Sequence, residues 1–156
     1  MADHWTIVPV THQRGQICRD ILSALPDWFG RSDSIEAYVT AAQTQPMFAA
    51  VQSGKAVGFV SICQHFAESF EVHSLGVLQP LHRAGIGRAL IRQAALYAIA
   101  QNGRFLSVKT LADAWVDENY ARTRAFYLGV GFKPIEVFET LWGDMPCLFL
   151  IMPVAA

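Results

Sequence analysis

Residues 82–90 read HRAGIGRAL. It follows a β-rich run, residues 69–78, and precedes a span, 87–101, in which Leu90, Ile91, Ala94, Ala95, Ala98 and Ile99 form a helical apolar stripe. A helix start leaves backbone N–H groups without partners and carries the positive end of the helix dipole, and glycines let an anion approach the bare backbone. Strand, glycine turn and helix start together predict an anion site. Two glycines alone would equally make a tight turn into a helix, with Arg83 and Arg88 solvated.

Two phosphate-binding patterns fit poorly. Gly85-Ile86-Gly87-Arg88-Ala89-Leu90 has leucine where the dinucleotide pattern needs its third small residue, and it lies in mid-chain. A P-loop fails because four residues do not separate the two glycines and no Gly-Lys-Ser/Thr follows.

Outward from the loop, the chain alternates strand and helix signals. Residues 4–10 are β-rich; Ile17, Ile21, Leu22 and Leu25 recur at helical spacing after a polar start at Thr11, and Pro26 is expected to end that helix. Residues 32–43 carry Ser32 and Asp33 as capping candidates, Glu36 three residues after Asp33, and Ile35, Tyr38, Val39 and Ala42 on one face. Two β-rich runs, 47–52 and 56–65, flank Ser53-Gly54-Lys55, the composition of a tight hairpin. Asn102-Gly103 stops the helix after the glycine loop, 105–110 reads as a strand, 119–128 as a helix ending at Gly131, and 132–140 and 146–152 as strands. This order predicts one domain over residues 1–156, a mixed α/β sheet of about seven strands with about four helices on its faces. Three consecutive strands argue against a purely doubly wound fold.

The loop now resembles the signature of the GNAT superfamily of acetyl-CoA-dependent N-acetyltransferases, Gln/Arg-x-x-Gly-x-Gly/Ala, present here as His82-Arg83-Ala84-Gly85-Ile86-Gly87. The likeness extends from Glu71 through VHSLGVLQPLHRAGIGRALI to RAFYLGVGF at residues 124–132. It implies the single-domain GNAT fold and acetyl-CoA as cosubstrate, with no metal. It further implies that backbone amides of Arg83, Ala84, Gly85, Ile86, Gly87 and Arg88 hold the CoA pyrophosphate. The backbone of Leu75, Gly76 and Val77 would pair with the pantetheine arm like an added strand. His82 stands where the signature has Gln or Arg, and imidazole can also donate to phosphate.

The same resemblance makes Glu71, six residues before Val77, the base that neutralises the amine. Strand alternation puts His73 on the same face as Glu71, and an imidazole could share or replace that role. Tyr127 matches the family tyrosine that protonates the departing thiolate, and Asn119 lies one residue from a common cofactor-contacting asparagine. A rim carboxylate, a core histidine and a core aromatic are the plain structural readings of these residues. Trp28, Phe29 and Trp142 could wall an acceptor amine with an apolar body. Asp113, Asp117 and Glu118 either attract a cationic amine or cap the next helix.

Composition limits the partners. The 156 residues carry 12 Lys+Arg against 13 Asp+Glu, net −1, so the basic excess of a nucleic-acid binder is missing. Hydrophobic residues make up 53% and charged ones 16%, a composition that folds rather than staying disordered. No apolar run has membrane-spanning length and no signal peptide is evident, so a cytoplasmic protein without a membrane partner is expected. Cys18, Cys63 and Cys147 form no metal-ligand spacing and match no position for a covalent acetyl intermediate. Direct transfer in a ternary complex to a small-molecule or peptide amine is therefore the expected activity. The alternative is a noncatalytic acyl-CoA-binding module. The apolar CLFLIM at 147–152 serves either the core or a homodimer interface.

Overall fold

The structure is a computed structural model describing residues 4–30 and 32–154; residues 1–3, 31 and 155–156 of the expected 1–156 domain lie outside the described residues. In chain order the elements are β1 (Trp5–Val10), α1 (Arg14–Ser23), α2 (Ser32–Ala42), β2 (Met47–Gln52), β3 (Lys55–Phe66), β4 (Ser69–Val77), α3 (Ile86–Ala100), β5 (Phe105–Leu111), α4 (Glu118–Val130), β6 (Lys133–Trp142) and β7 (Met145–Pro153). The seven strands form one sheet ordered β1-β2-β3-β4-β5-β7-β6. The element order expected from the sequence is the one observed.

The chain also divides into two compact units. One comprises the chain up to Cys63 with Val72–Tyr97, the other Gln64–Glu71 with the chain from Ala98 onward.

In the first unit, α1 and α2 close over an apolar cluster of Cys18, Ile21, Leu22, Leu25, Ile35, Val39, Ala42, Met47 and Phe59. The helical spacing read from the sequence supplies most of these side chains. The helix begins later than Thr11 because Gln13 adopts a left-handed conformation, φ 59°. It also stops at Ser23, ahead of Pro26. Proline disfavours helical geometry in the residue before it, and the closing bonds from Ala24 to Ile21 and from Leu25 to Leu22 are of the tighter i→i−3 kind. The β2–β3 turn has Ser53 and Gly54 both at positive φ, 54° and 78°, the geometry that joins two antiparallel strands through two residues.

Gly76 on β4 is required by close packing. A Cβ there would lie 3.0 Å from Ile21, 3.2 Å from Leu22 and 3.3 Å from Phe59, so glycine lets α1 settle directly onto the strand.

In the second unit β5 pairs antiparallel with β7, from Phe105↔Pro153 to Leu111↔Cys147, and β7 pairs with the edge strand β6. Asp117 caps α4 by accepting from the backbone N–H groups of Asn119 (2.9 Å) and Tyr120 (3.1 Å). Gly131, φ 117°, closes its C-terminus as the sequence indicates. Arg124 donates to the Leu111 carbonyl at 2.8 Å and ties the helix to β5.

Candidate active site

The glycine loop lies in the first unit. After β4 the chain makes a short 3-10 turn at Gln79–Leu81, then passes through two left-handed residues, Arg83 (φ 69°) and Gly85 (φ 86°), before α3 begins at Ile86. The first helical backbone bond runs from the Ala89 N–H to the Gly85 carbonyl at 3.1 Å. The amides of Ile86, Gly87 and Arg88 precede that bond at the positive end of a 15-residue helix. Alternation of left- and right-handed residues also turns successive N–H groups toward one concavity. This donor set suits a phosphate ester, and no side chain need supply it.

His82 donates from Nε2 to the Val77 carbonyl at 2.7 Å, and its ring meets Trp28 edge-on at 5.3 Å. Nδ1 of the neutral ring then carries a lone pair rather than a proton, so the phosphate donors here are the backbone amides. Trp28 and Phe29, expected to line an acceptor site, pack against the apolar cluster of α1 and α2. Phe29 meets Tyr38 at 5.9 Å, and Tyr38 meets His73 at 5.4 Å. The unit thus gathers His73, His82, Trp28 and Phe29 through ring contacts, while Leu75, Gly76 and Val77 follow His73 on the same strand.

In the second unit Glu71 is 4% exposed, and both of its oxygens are engaged. Oε1 accepts from His65 Nε2 at 2.6 Å and Oε2 accepts from Lys109 Nζ at 2.7 Å. Lys109 also lies 5.8 Å from the centre of the Phe149 ring. Burial pushes the neighbouring Cys147 thiol up; the positive charge of Lys109 opposes this and the negative charge of Glu71 adds to it. His65 and Lys109 escaped the sequence reading. Lys109 carried a signal, a charge inside the β-rich stretch FLSVKTL, whereas His65 looked like an ordinary polar strand end.

Beside this triad a groove of about 410 Å³ opens over the sheet, floored by Phe105, Phe138, Phe149 and Ile151, with His65 and Lys109 on its wall. Among the described residues no carboxylate lines it.

Tyr127 is 6% exposed on α4 and packs against Phe126 and Phe132, with ring centres 5.4 and 5.6 Å away. The Asn119 side chain accepts from Arg122 one turn along the same helix. Trp142 ends β6 opposite Met145. Of the three acidic candidates ahead of α4, Asp117 is the cap, and Asp113 and Glu118 are exposed. Among the described residues no group of His, Cys, Asp and Glu could hold a metal ion, and no helix is long and apolar enough to cross a membrane.

The fold has close counterparts among solved structures. A GNAT family acetyltransferase from Elizabethkingia anophelis with acetyl-CoA bound superposes with a TM-score of 0.73 at 19% identity, over 97% of this chain and 99% of that one. The ribosomal-protein-S18-alanine N-acetyltransferase of Escherichia coli gives 0.77 at 17% identity, over 98% and 96%. An aminoglycoside 6'-N-acetyltransferase complexed with coenzyme A gives 0.76 at 18%, over 96% and 97%. At these identities the likeness concerns the fold. No curated protein sequence matches the chain significantly. The family described as Acetyltransferase (GNAT) domain matches residues 42–134, from the end of α2 to the start of β6. That span includes the glycine loop, Glu71 and Tyr127, and the chain belongs to the GNAT acetyltransferase family.

Proposed function

We propose that this protein transfers an acetyl group from acetyl-CoA to a primary amine of a small molecule or peptide, directly and within a ternary complex. The observation that carries this reading is the loop 82–88, a concave set of backbone donors at the start of α3 inside the family-matched segment. In this reading the amides of residues 83–88 hold the pyrophosphate and the backbone of Leu75, Gly76 and Val77 pairs with the pantetheine arm. Tyr127 returns a proton to the departing thiolate, and the acid–base work on the amine belongs to the face that carries Glu71 and His73.

Direct transfer is supported by the cysteines. Cys18 and Cys147 are buried, and burial pushes the Cys18 thiol from 9.0 up to about 11, which disfavours the thiolate a covalent acetyl-enzyme requires. An amine acceptor is supported by relatives of the same fold named for an aminoglycoside and for a protein alanine. Engagement of both Glu71 oxygens favours the second reading, a noncatalytic acyl-CoA-binding module.

Calorimetric titration with acetyl-CoA, followed by thiol release with a set of primary amines, separates them. Catalysis predicts amine-dependent thiol release that Tyr127→Phe slows by about a hundredfold at unchanged acetyl-CoA affinity. Binding without release leaves the module, and absence of binding removes both readings.

A further inference from the structure

The triad in the second unit points to a division of labour at the base. A carboxylate with one oxygen on an ammonium and the other on an imidazole N–H has both oxygens engaged, and Glu71 is almost fully buried besides. His65 presents the opposite character: its side chain is 45% exposed and forms part of the groove wall. Because the Nε2–H is donated to Glu71, the ring's tautomer is set and Nδ1 carries the free lone pair. A buried carboxylate that orients an accessible imidazole, and steadies it once protonated, is an acid–base arrangement of known chemical logic.

Resting on the acetyltransferase reading, we propose that His65 is the catalytic base, that Glu71 is a positioning residue held in place by Lys109, and that the acceptor is an amine whose apolar or aromatic body occupies the groove. Phe105, Phe138, Phe149 and Ile151 offer such a body apolar area, and the absence of a lining carboxylate gives a polycation nothing to pair with. Glu71 from β4 meets His65, Lys109 from β5 meets Glu71 and lines the same groove, and the Cys147 thiol of β7 lies near Glu71 and Lys109.

The chemistry balances. The acceptor's ammonium gives one proton to His65 Nδ1. Its lone pair forms the N–C bond to the acetyl carbonyl carbon while the C–S bond breaks. The second N–H proton ends on the departing CoA sulfur, and His65 releases the first to solvent, so one proton is produced for each amide formed.

The test compares wild type, His65→Gln and Glu71→Gln in the full chain, using phenethylamine and spermidine as probes. His65→Gln should lower kcat by about a hundredfold. It should also erase the low-pH limb of kcat/KM while acetyl-CoA affinity stays within twofold. Glu71→Gln should keep that limb but lower kcat, since the imidazole loses the carboxylate that orients it. Phenethylamine should exceed spermidine in kcat/KM. In NMR spectra the His65 ring should lose its fixed Nε2–H tautomer in Glu71→Gln, a readout independent of turnover.

The proposal is overturned if His65→Gln keeps its rate and its limb, if Glu71→Gln alone removes the limb, if spermidine is preferred, or if the ring keeps the same tautomer in wild type and Glu71→Gln. Wild type that binds acetyl-CoA but acetylates neither probe also overturns it. Failure of acetyl-CoA to bind would instead strike the acetyltransferase reading itself.

Discussion

Cys18 shows how burial alone rewrites a side chain's chemistry. Its thiol is fully enclosed between α1 and the sheet, hydrogen-bonded to Ser74, and its ionisation is pushed from 9.0 to about 11. The unfolded chain therefore loses this proton before the folded chain does, so the folded state binds more protons between the two values and stability falls as pH rises from about 9 through 11. Melting curves should show a steeper loss of Tm over that window in wild type than in Cys18→Ala. Parallel slopes would mean the thiol is not coupled to folding. The same shielding keeps the Cys18 and Cys147 thiols out of the acetyl-transfer proposal, in which His65, exposed on its groove wall, supplies the reactive lone pair.

At the scale of elements, α4 depends on its ends. Much of its surface is exposed, with Ala121, Arg122, Ala125, Leu128 and Gly129 all open to solvent, so packing contributes less to it than to α3. The Asp117 cap satisfies two N–H groups that no helical carbonyl can reach. Asp117→Ala should cost about 1 kcal/mol, read as a lower denaturation midpoint, and Asp117→Asn should recover most of it. An unchanged midpoint in Asp117→Ala would show that Arg124 and the buried ring of Tyr127 anchor the helix without the cap. The acidic segment ahead of this helix could be read as a cation lure or a cap. Asp117 resolves to the cap because its side chain points back to the helix start, a direction the sequence does not encode.

The whole molecule should respond to its cosubstrate as a unit. Acetyl-CoA at about a hundred times its Kd should raise stability by about 2.7 kcal/mol, which for a chain of this size is a Tm increase of roughly 5–10 °C. Gly87→Glu puts a carboxylate and its bulk against the loop's donors and should abolish the increase, leaving the unliganded Tm near that of wild type. A preserved increase in that variant would move the phosphate contact away from the loop.

Legible in the sequence alone were the element order, a tight hairpin at residues 53–55, the glycine loop before α3 and the family, although Lys55 belongs to β3 and the turn itself is Ser53 and Gly54. Each of these is a local matter: periodicity, turn chemistry and a six-residue motif lie within reach of neighbouring residues. The state of Glu71, by contrast, depends on the folded chain. Its partners come from β3 and β5, 6 and 38 residues away along the chain, and only strand pairing brings them within hydrogen-bonding distance. The same holds for Gly76, whose requirement for glycine comes from Ile21 and Leu22 of a distant helix, and for His82, whose ring turns to a carbonyl of the preceding strand. A motif states which residue types are present. The direction each side chain takes follows from the packing of segments far apart in the chain, and that direction separates a free base from a carboxylate that positions one.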